Sequence, residues 1–125
     1  TYSGHPVGAA AAIACLAETR RLNVTQNAAA RGTQLFAGLK ALQAKYEVIG
    51  DVRGGHGLML ALELVSDRAT KAPAAKPVQE VAYRAGAMVR VSGPNIILSP
   101  PLVLSAADAD VILAALDAGF ASLMA

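Results

Sequence analysis

The residues that could do acid–base, nucleophilic or metal chemistry are scattered singly along the chain. His5 and His56 are far apart in sequence and neither has an obvious ligand partner, so the sequence predicts no metal site. The single Cys15 excludes an internal disulfide and a cysteine-based zinc site, and its apolar neighbours predict a buried, inert thiol. These residues alone indicate an α/β domain without a self-contained catalytic site.

Three glycines lie close together in "DVRGGHG", at positions 54, 55 and 57. They do not have the spacing of a P-loop, so they predict a tight turn into a strand rather than a phosphate cradle. The adjacent Arg53 is expected either to pair with an acidic residue or to face solvent. Glu63 is expected either to have a partner in the sheet or to be a charge at its edge.

The composition excludes several classes of protein. The 125 residues are enough for one domain, and 54% of them are hydrophobic although only 4% are aromatic, which favours closely packed helices. The net charge is +2 and the 11 Lys and Arg residues form no run, so no nucleic-acid partner is predicted. No apolar stretch approaches the roughly 20 residues that span a bilayer. We therefore expect no membrane partner and a cytoplasmic location, which the lone cysteine also fits.

The first part of the chain has the patterns of two helices. Pro6 suits the first position of a helix that would continue to about Leu22, and Thr25 is a candidate cap for the second helix. In that second helix the apolar residues recur at spacings of four, three and four, which predicts one buried stripe. The stripe consists of Leu35, Leu39, Leu42 and Tyr46.

The pattern then changes to strands. "YEVIGDVRGGHG" predicts a strand and a turn, and the almost continuous apolar run "LMLALELV" predicts a central strand covered on both faces. "SDRATKAPAAKP" predicts a loop, and "VQEVAYRAG" a short helix that Gly86 ends in the left-handed conformation. Tyr46 and Tyr83 are both expected to be packing residues.

The last third of the chain predicts two more strands and a helix. "AMVRVSG" and "NIILSPP" would be joined by a turn at residues 92–95, and the double proline would end the second strand. Ser105 and Asp108 form a loose capping box for a final helix with Ile112, Leu116, Phe120 and Leu123 on one face. The predicted fold is an α/β sandwich, a small sheet with helices packed on it.

Three stretches in this order, "TYSGHPVGAAAA", "DVRGGHGLMLALELV" and "RVSGPNIILSPPLVL", resemble the C-terminal third of class III aminotransferases. These are pyridoxal-phosphate (PLP) enzymes of fold type I and include the ω-transaminases. The resemblance covers essentially the whole chain and implies the C-terminal small domain of such an enzyme. Residues 1–47 would be a helical segment that links a missing large domain to the small α/β domain of residues 48–125.

The resemblance implies that the catalytic residues lie elsewhere. Lys40, Lys45, Lys71 and Lys76 stand in contexts unlike the family's Schiff-base lysine motif, so none is assigned that role. The aspartate that pairs with the pyridine nitrogen and the aromatic residue that stacks on the ring also have no counterpart. The sequence therefore reads as a fragment that is not expected to be active alone.

Thr1 and Tyr2 are the cofactor-binding residues that the resemblance implies. The family places the matching threonine against the cofactor phosphate of the neighbouring subunit, so an obligatory homodimer follows. A hydroxyl, the main-chain N–H of Tyr2 and the N-terminal end of a helix all suit a dianion. Without the resemblance, the residues favour a turn and a helix cap, shaped by Ser3, Gly4 and His5.

Arg90 is the substrate-binding residue that the resemblance implies. A guanidinium binds a carboxylate through two parallel hydrogen bonds, which a lysine cannot do. In ω-transaminases the arginine before a "GxxIxxxPP" segment binds the substrate carboxylate and swings aside for an uncharged amine. Strand alternation puts Arg90 on one face with Met88 and Ser92. Without the resemblance, an ordinary exposed arginine near a strand end is the alternative.

The function that the resemblance implies is the transfer of an amino group from an amine or ω-amino acid to an α-keto acid such as pyruvate. The alternatives are another class III member, acting on a diamine, an ornithine-type substrate or a semialdehyde, and a non-catalytic α/β binding module. The amine donor cannot be named, because the pockets that select it depend on residues outside this chain.

Overall fold

The computed structural model describes residues 3–66 and 75–124 of the chain. Within these residues the elements follow the predicted order of two helices, two strands, a helix, two strands and a helix. Their bounds are α1 Pro6–Arg21, α2 Val24–Lys45, β1 Ile49–Arg53, β2 Leu60–Leu64, α3 Ala75–Arg84, β3 Arg90–Ser92, β4 Asn95–Leu98 and α4 Ala106–Ala121.

The four strands form one antiparallel sheet in the spatial order β1-β2-β4-β3. On one face the side chains are buried against α2 and α3, and α4 packs on these two helices and adds residues to the same core. We call this face the covered face, and it is formed by Val52, Leu60, Leu62, Ile96 and Leu98. The predicted sandwich of a small sheet and packed helices is therefore confirmed.

Strand β2 differs from its prediction in how it is covered. Leu60, Leu62 and Leu64 are buried, but Ala61 and Glu63 between them are only half-buried. Burial thus follows the period of two that is typical of a strand with one face on a core. The prediction of cover on both faces is wrong for the described residues, because the helices all pack on the same side.

The junction between the first two helices depends on Asn23 rather than on Thr25. Asn23 has φ 49°, in the left-handed region that asparagine enters more readily than most residues, and it precedes α2 directly. Thr25 lies inside the helix, where its hydroxyl contacts the side chain of Gln26. The predicted cap is therefore wrong, although the break was placed correctly.

The predicted stripe on α2 is buried throughout and meets α4. Leu35, Leu39 and Leu42 belong to the core, and the ring of Tyr46 lies 5.5 Å from that of Phe120. The Tyr46 hydroxyl donates to Asp117 Oδ1 at 2.7 Å, which satisfies its polar end. The stripe and the packing role of Tyr46 are both confirmed.

The ends of α3 and α4 follow the sequence closely. Gly86 has φ 102° after α3, and the N–H of Ala87 bonds to the carbonyl of Ala82 at 2.9 Å, as in a Schellman motif. At the start of α4 the capping box of Ser105 and Asp108 is present. Helix α3 begins at Ala75, inside the predicted loop, and the rest of that loop from residue 67 to 74 lies outside the described residues.

Helix α1 stands apart from the core. None of its residues is buried, and its apolar side chains, such as Ile13 and Leu16, are exposed. Cys15 is exposed as well, so the prediction of a buried thiol is wrong. Tyr83 on α3 is also exposed, contrary to its predicted packing role. Apolar neighbours along the chain therefore do not predict burial, because a residue is buried only where another element packs against its side of the helix.

Candidate functional site

The second face of the sheet carries polar and charged side chains, and we call it the open face. The strand register places two rows of residues across it, since directly paired residues of antiparallel strands lie on the same face. The rows are Arg53–Ala61–Ile97–Arg90 and Asp51–Glu63–Asn95–Ser92. An arginine therefore lies at each end of the first row, on the two opposite edges of the sheet.

Arg53 at one end of this row contacts three polar side chains. Its Nη1 lies 2.6 Å from Glu63 Oε2 and its Nη2 donates to Asn95 Oδ1 at 2.9 Å, while Asp51 Oδ2 is 3.5 Å away. Asn95 in turn donates to the carbonyl of Ser92 at 3.1 Å. Of the two alternatives for each residue, the structure shows Arg53 paired with an acid and Glu63 as its partner in the sheet.

Arg90 at the other end of the row is exposed on the edge strand β3. Met88, Arg90 and Ser92 are all exposed, whereas Val89 is buried and Val91 half-buried, which confirms the predicted alternation. Among residues 3–66 and 75–124, no acidic side chain forms an ion pair with this guanidinium. Its five donors are thus available for a carboxylate.

Arg90 also lines a cavity of about 640 Å³ between the ends of β3 and β4 and the helix α4. Most of its wall is apolar and includes Met88, Ile97 and Val111. A guanidinium beside an apolar wall binds an anion more strongly than one surrounded by water, because the screening is weaker. The cavity thus suits a small molecule with a carboxylate at one end and an apolar body.

Asp108, the one described carboxylate in the cavity wall, forms hydrogen bonds with the residue that caps its own helix. Its Oδ2 accepts from the Ser105 hydroxyl at 2.6 Å and from the Ser105 N–H at 3.2 Å. These hydrogen bonds, the one from the side chain first, hold the pKa of Asp108 below its ordinary value of 3.8. Asp108 therefore stays ionised at neutral pH and serves as a helix cap.

The N-terminal candidates, Thr1 and Tyr2, lie outside the described residues. The adjacent start of α1 is described: His5 is the N-cap, and its Nδ1 accepts from the N–H of Gly8 at 3.4 Å. The first turn of α1 contains no acidic residue. The positive end of the helix dipole is therefore left without a compensating charge on that turn, which is a favourable setting for an anion.

Two features of the site were not identified from the sequence. Asn95 was assigned only to a turn, whereas its side chain joins Arg53 to the carbonyl of Ser92. Ile97 is the residue directly opposite Arg90. The alternation of β3 and β4, with the turn between them, contained the signal for Ile97 opposite Arg90, whereas the contact of Asn95 with Arg53 depends on the strand order β1-β2-β4.

The described residues can also be compared with the requirements of a metal site, a glycine turn and a membrane-spanning helix. Its His, Cys, Asp and Glu residues form no group that could hold a metal ion. The glycines 54, 55 and 57 all have positive φ and make the predicted turn from β1 toward β2. None of the helices in residues 3–66 and 75–124 is long and apolar enough to cross a membrane.

The fold and the open face define an α/β module with an exposed arginine on an edge strand, and comparison with known proteins places it in a family. The family model described as aminotransferase class-III matches residues 1–119. The taurine–pyruvate aminotransferase of Bilophila wadsworthia is 38% identical over 131 residues, which cover 96% of this chain and 28% of that protein. The chain belongs to the class III aminotransferase family.

Solved structures agree with this family in both fold and sequence. An amine transaminase from an uncultivated Pseudomonas species, in its PLP-bound form, superimposes with a TM-score of 0.88 at 44% identity over 98% of this chain. An (S)-enantioselective ω-transaminase from Thermomicrobium roseum gives a TM-score of 0.86 at 35% identity over 100% of this chain. The chain covers 29% of each of those two chains, so it spans less than a third of the relatives that it matches.

Proposed function

We propose that this chain is the C-terminal part of a PLP-dependent aminotransferase that moves an amino group from an amine or ω-amino acid to an α-keto acid such as pyruvate. The observation that carries the proposal is Arg90, exposed beside a largely apolar cavity without an acidic partner among the described residues. The family membership supplies the reaction class. The other class III substrates, diamines, ornithine-type amino acids and semialdehydes, are the alternatives.

In this proposal Arg90 binds the carboxylate of the keto acid or amino acid. Its planar fork would donate two hydrogen bonds to the two carboxylate oxygens and so orient the substrate as well as attract it. The apolar wall of the cavity would lie beside the rest of the substrate and exclude water from it. An amine without a carboxylate has nothing to bind this fork, so the guanidinium would remain toward solvent.

Thr1 and the N–H of Tyr2 are proposed to hold the phosphate of PLP in the neighbouring subunit of a homodimer. The start of α1 fits this role, because its first turn contains no acid that would repel a dianion. PLP, when bound, supplies the electron sink for the transfer. Residues 1–47 would then link the large domain to the small domain of residues 48–125.

The catalytic lysine is proposed to lie outside this chain, and the described lysines support this. Lys45 Nζ lies 2.6 Å from Asp117 Oδ1, and the hydrogen bond to Asp117, followed by that to Tyr46, raises the pKa of Lys45 above 10.5. An amine that must attack a carbonyl needs the opposite, a lowered pKa. Lys40 donates to Gln43 on the surface of α2, and Lys76 is exposed on α3.

The test uses the complete gene product that contains this sequence, with the variants Arg90→Ala and Arg90→Lys. Single-turnover half-reactions are measured separately with a simple amine and with pyruvate. Arg90→Ala should lower kcat/KM for pyruvate about 100-fold, because a desolvated charge pair is lost, and should change the amine half-reaction by about twofold or less. Arg90→Lys should lie between, since it keeps the charge without the fork. Equal losses in both half-reactions would contradict the role of Arg90.

Two further measurements separate the alternatives. Parallel assays with a diamine, ornithine and a semialdehyde would distinguish the other class III substrates. A complete gene product that gains no absorbance from added PLP and transfers no amino group would contradict an aminotransferase and favour the binding module.

A further inference from the structure

Arg90 lies on an element that has little to hold it in place. Strand β3 has three residues and forms the edge of the sheet, where β4 is its one partner among the described strands. Its backbone therefore forms hydrogen bonds to one neighbouring strand, and the turn of residues 92–95 determines how β3 lies against β4. A short edge strand of this kind opens more readily than a central one. The position of Arg90 consequently depends on how firmly this turn is held.

A chain of polar side-chain contacts crosses the open face and ends at that turn. Arg53 on β1 uses Nη1 for Glu63 on β2, at 2.6 Å, and Nη2 for Asn95 on β4, at 2.9 Å. Asn95 then donates to the carbonyl of Ser92 on β3 at 3.1 Å. We call this chain of contacts the cross-sheet ladder, formed by Arg53, Glu63, Asn95 and Ser92. It connects all four strands, and its last member is two residues from Arg90 on the same face.

Because the ladder pairs Arg53 with Glu63, Arg90 rather than Arg53 is available to an anion on the open face. Arg53 and Arg90 are separated by three strand spacings, roughly 14 Å, so one small substrate cannot contact both. Glu63 has a side chain only 15% exposed and neutralises Arg53 at close range. A carboxylate entering from this side therefore meets a single unneutralised guanidinium among the described residues of the face.

We propose that Asn95 and Arg53 are positioning residues for carboxylate substrates, acting through Arg90. By holding the β3–β4 turn, the ladder fixes the direction from which the Arg90 guanidinium approaches the cavity, and by engaging Arg53 it removes a competing cation. This inference rests on the proposed function of Arg90, and it adds two residues that touch neither substrate nor cofactor. Since binding of an uncharged amine does not use Arg90, the ladder is not needed for that half-reaction.

The experiment uses the complete gene product with Asn95→Ala, Arg53→Lys and Gln34→Ala. Asn95→Ala removes both the acceptor for Arg53 and the donor to Ser92, so KM for pyruvate should rise about tenfold while the amine half-reaction stays within about twofold. Arg53→Lys keeps the charge beside Glu63 but loses the fork, and should raise KM about threefold. Gln34→Ala is the matched control: it removes side-chain hydrogen bonds to Ala106 and Asp110 that join α2 to α4, away from the open face, and should leave both half-reactions unchanged.

Hydrogen exchange provides a readout that does not depend on turnover. In Asn95→Ala the amides of residues 90–98 should exchange about tenfold faster than in the wild type, whereas those of α2 should not change. Unchanged exchange at residues 90–98, or an unchanged KM for pyruvate in Asn95→Ala, would overturn the ladder. If Arg90→Ala itself leaves pyruvate turnover intact, the proposed role of Arg90 fails and the ladder with it, whereas a complete gene product that transfers no amino group contradicts the proposed function itself, so the two failures are distinguished.

Discussion

The two faces of the sheet are built from the same short strands but have different chemistry. On the covered face, Leu62 pairs across the strands with Val52 and Ile96, and all three are buried under the helices. On the open face, the alternate positions carry Arg53, Glu63 and other polar residues in contact with one another. A period of two in the sequence thus separates the apolar residues that form the core from the polar and charged residues of the open face.

This separation has a consequence for substitution. Side chains on the covered face are buried in the core, so removing atoms there leaves a cavity. Side chains on the open face form polar contacts, including those between Arg53, Glu63 and Asn95, so their replacement is expected to change charge and position more than packing. The predictions that follow test whether the two faces divide stability and function in this way, and they run from the largest expected effect to the smallest.

Leu62→Ala on the covered face should have the largest effect on stability. Leu62 is fully buried, so the substitution should cost about 2–5 kcal/mol. Ile97→Ala on the open face is the matched change, and because Ile97 is only half-buried it should cost about 1 kcal/mol. The free energy of opening of the β2 amides, measured by hydrogen exchange in the complete gene product, gives both values. Similar costs would mean that both faces are packed in the whole protein.

Ser105→Ala should have an intermediate effect, confined to the layer of helices. The Ser105 hydroxyl accepts from the N–H of Asp108 at 3.1 Å at the start of α4, and loss of such a cap costs about 1 kcal/mol. Ser122→Ala is the control at the other end of α4, where the hydroxyl only donates to the carbonyl of Gly119, and it should cost under about 0.5 kcal/mol. Urea denaturation of both variants measures the difference. Pyruvate turnover should not change, because the lining of the cavity does not include Ser105 itself.

The smallest effect is expected at the ion pair of Lys45 and Asp117, also in the layer of helices. The hydrogen bond from Lys45, followed by that from Tyr46, lowers the pKa of Asp117 below 3.8, so the unfolded chain binds its proton at a higher pH than the folded chain does. The stabilisation is therefore complete above about pH 4 and is lost as the pH falls through the folded pKa. At the other limit it is lost as the pH rises through the raised pKa of Lys45, above 10.5.

Asp117→Asn should accordingly lower the Tm at neutral pH by only about 1–2 °C, because water screens this partly exposed pair. Below pH 4 the difference should become progressively smaller, as the carboxylate of Asp117 takes up a proton. Thermal denaturation between pH 2 and 7 measures the effect, and added salt should reduce it. Asp110→Asn is the control, because it removes a carboxylate charge that faces only the neutral amide of Gln34 and keeps an oxygen that can accept its hydrogen bond. A Tm difference that persists at pH 2 would show that the carboxylate charge is not its cause.

Local patterns predicted much of this fold, because each depends on neighbouring residues. The stripe on α2, the stop at Gly86 and the box of Ser105 with Asp108 all follow from short-range geometry. The exposed Cys15 and the single-sided cover of β2 were not predicted, since both depend on which surfaces other elements reach. A hydrophobic sequence predicts that a residue needs cover but does not identify the element that supplies it.

The candidate site was predictable to a similar extent. Strand alternation placed Arg90 on a face with Met88 and Ser92, as the structure has it. The partners of Arg53 depend on the pairing of β1 with β2 and of β2 with β4, and the sequence does not specify strand order. The roles of Thr1 and Tyr2 stay predictions, because those residues lie outside the described part of the chain.

The rate of amide exchange in helix α1 should indicate whether another protein surface packs against it. Its 16 residues bury none of their side chains within the described chain, and an isolated helix of about this length is only marginally stable in water. Its amide protons should therefore be lost to deuterium almost as quickly as those of a random coil whenever that surface is bare. Slow loss from α1 would report that another protein surface, within the same polypeptide or from a second copy, has docked along it.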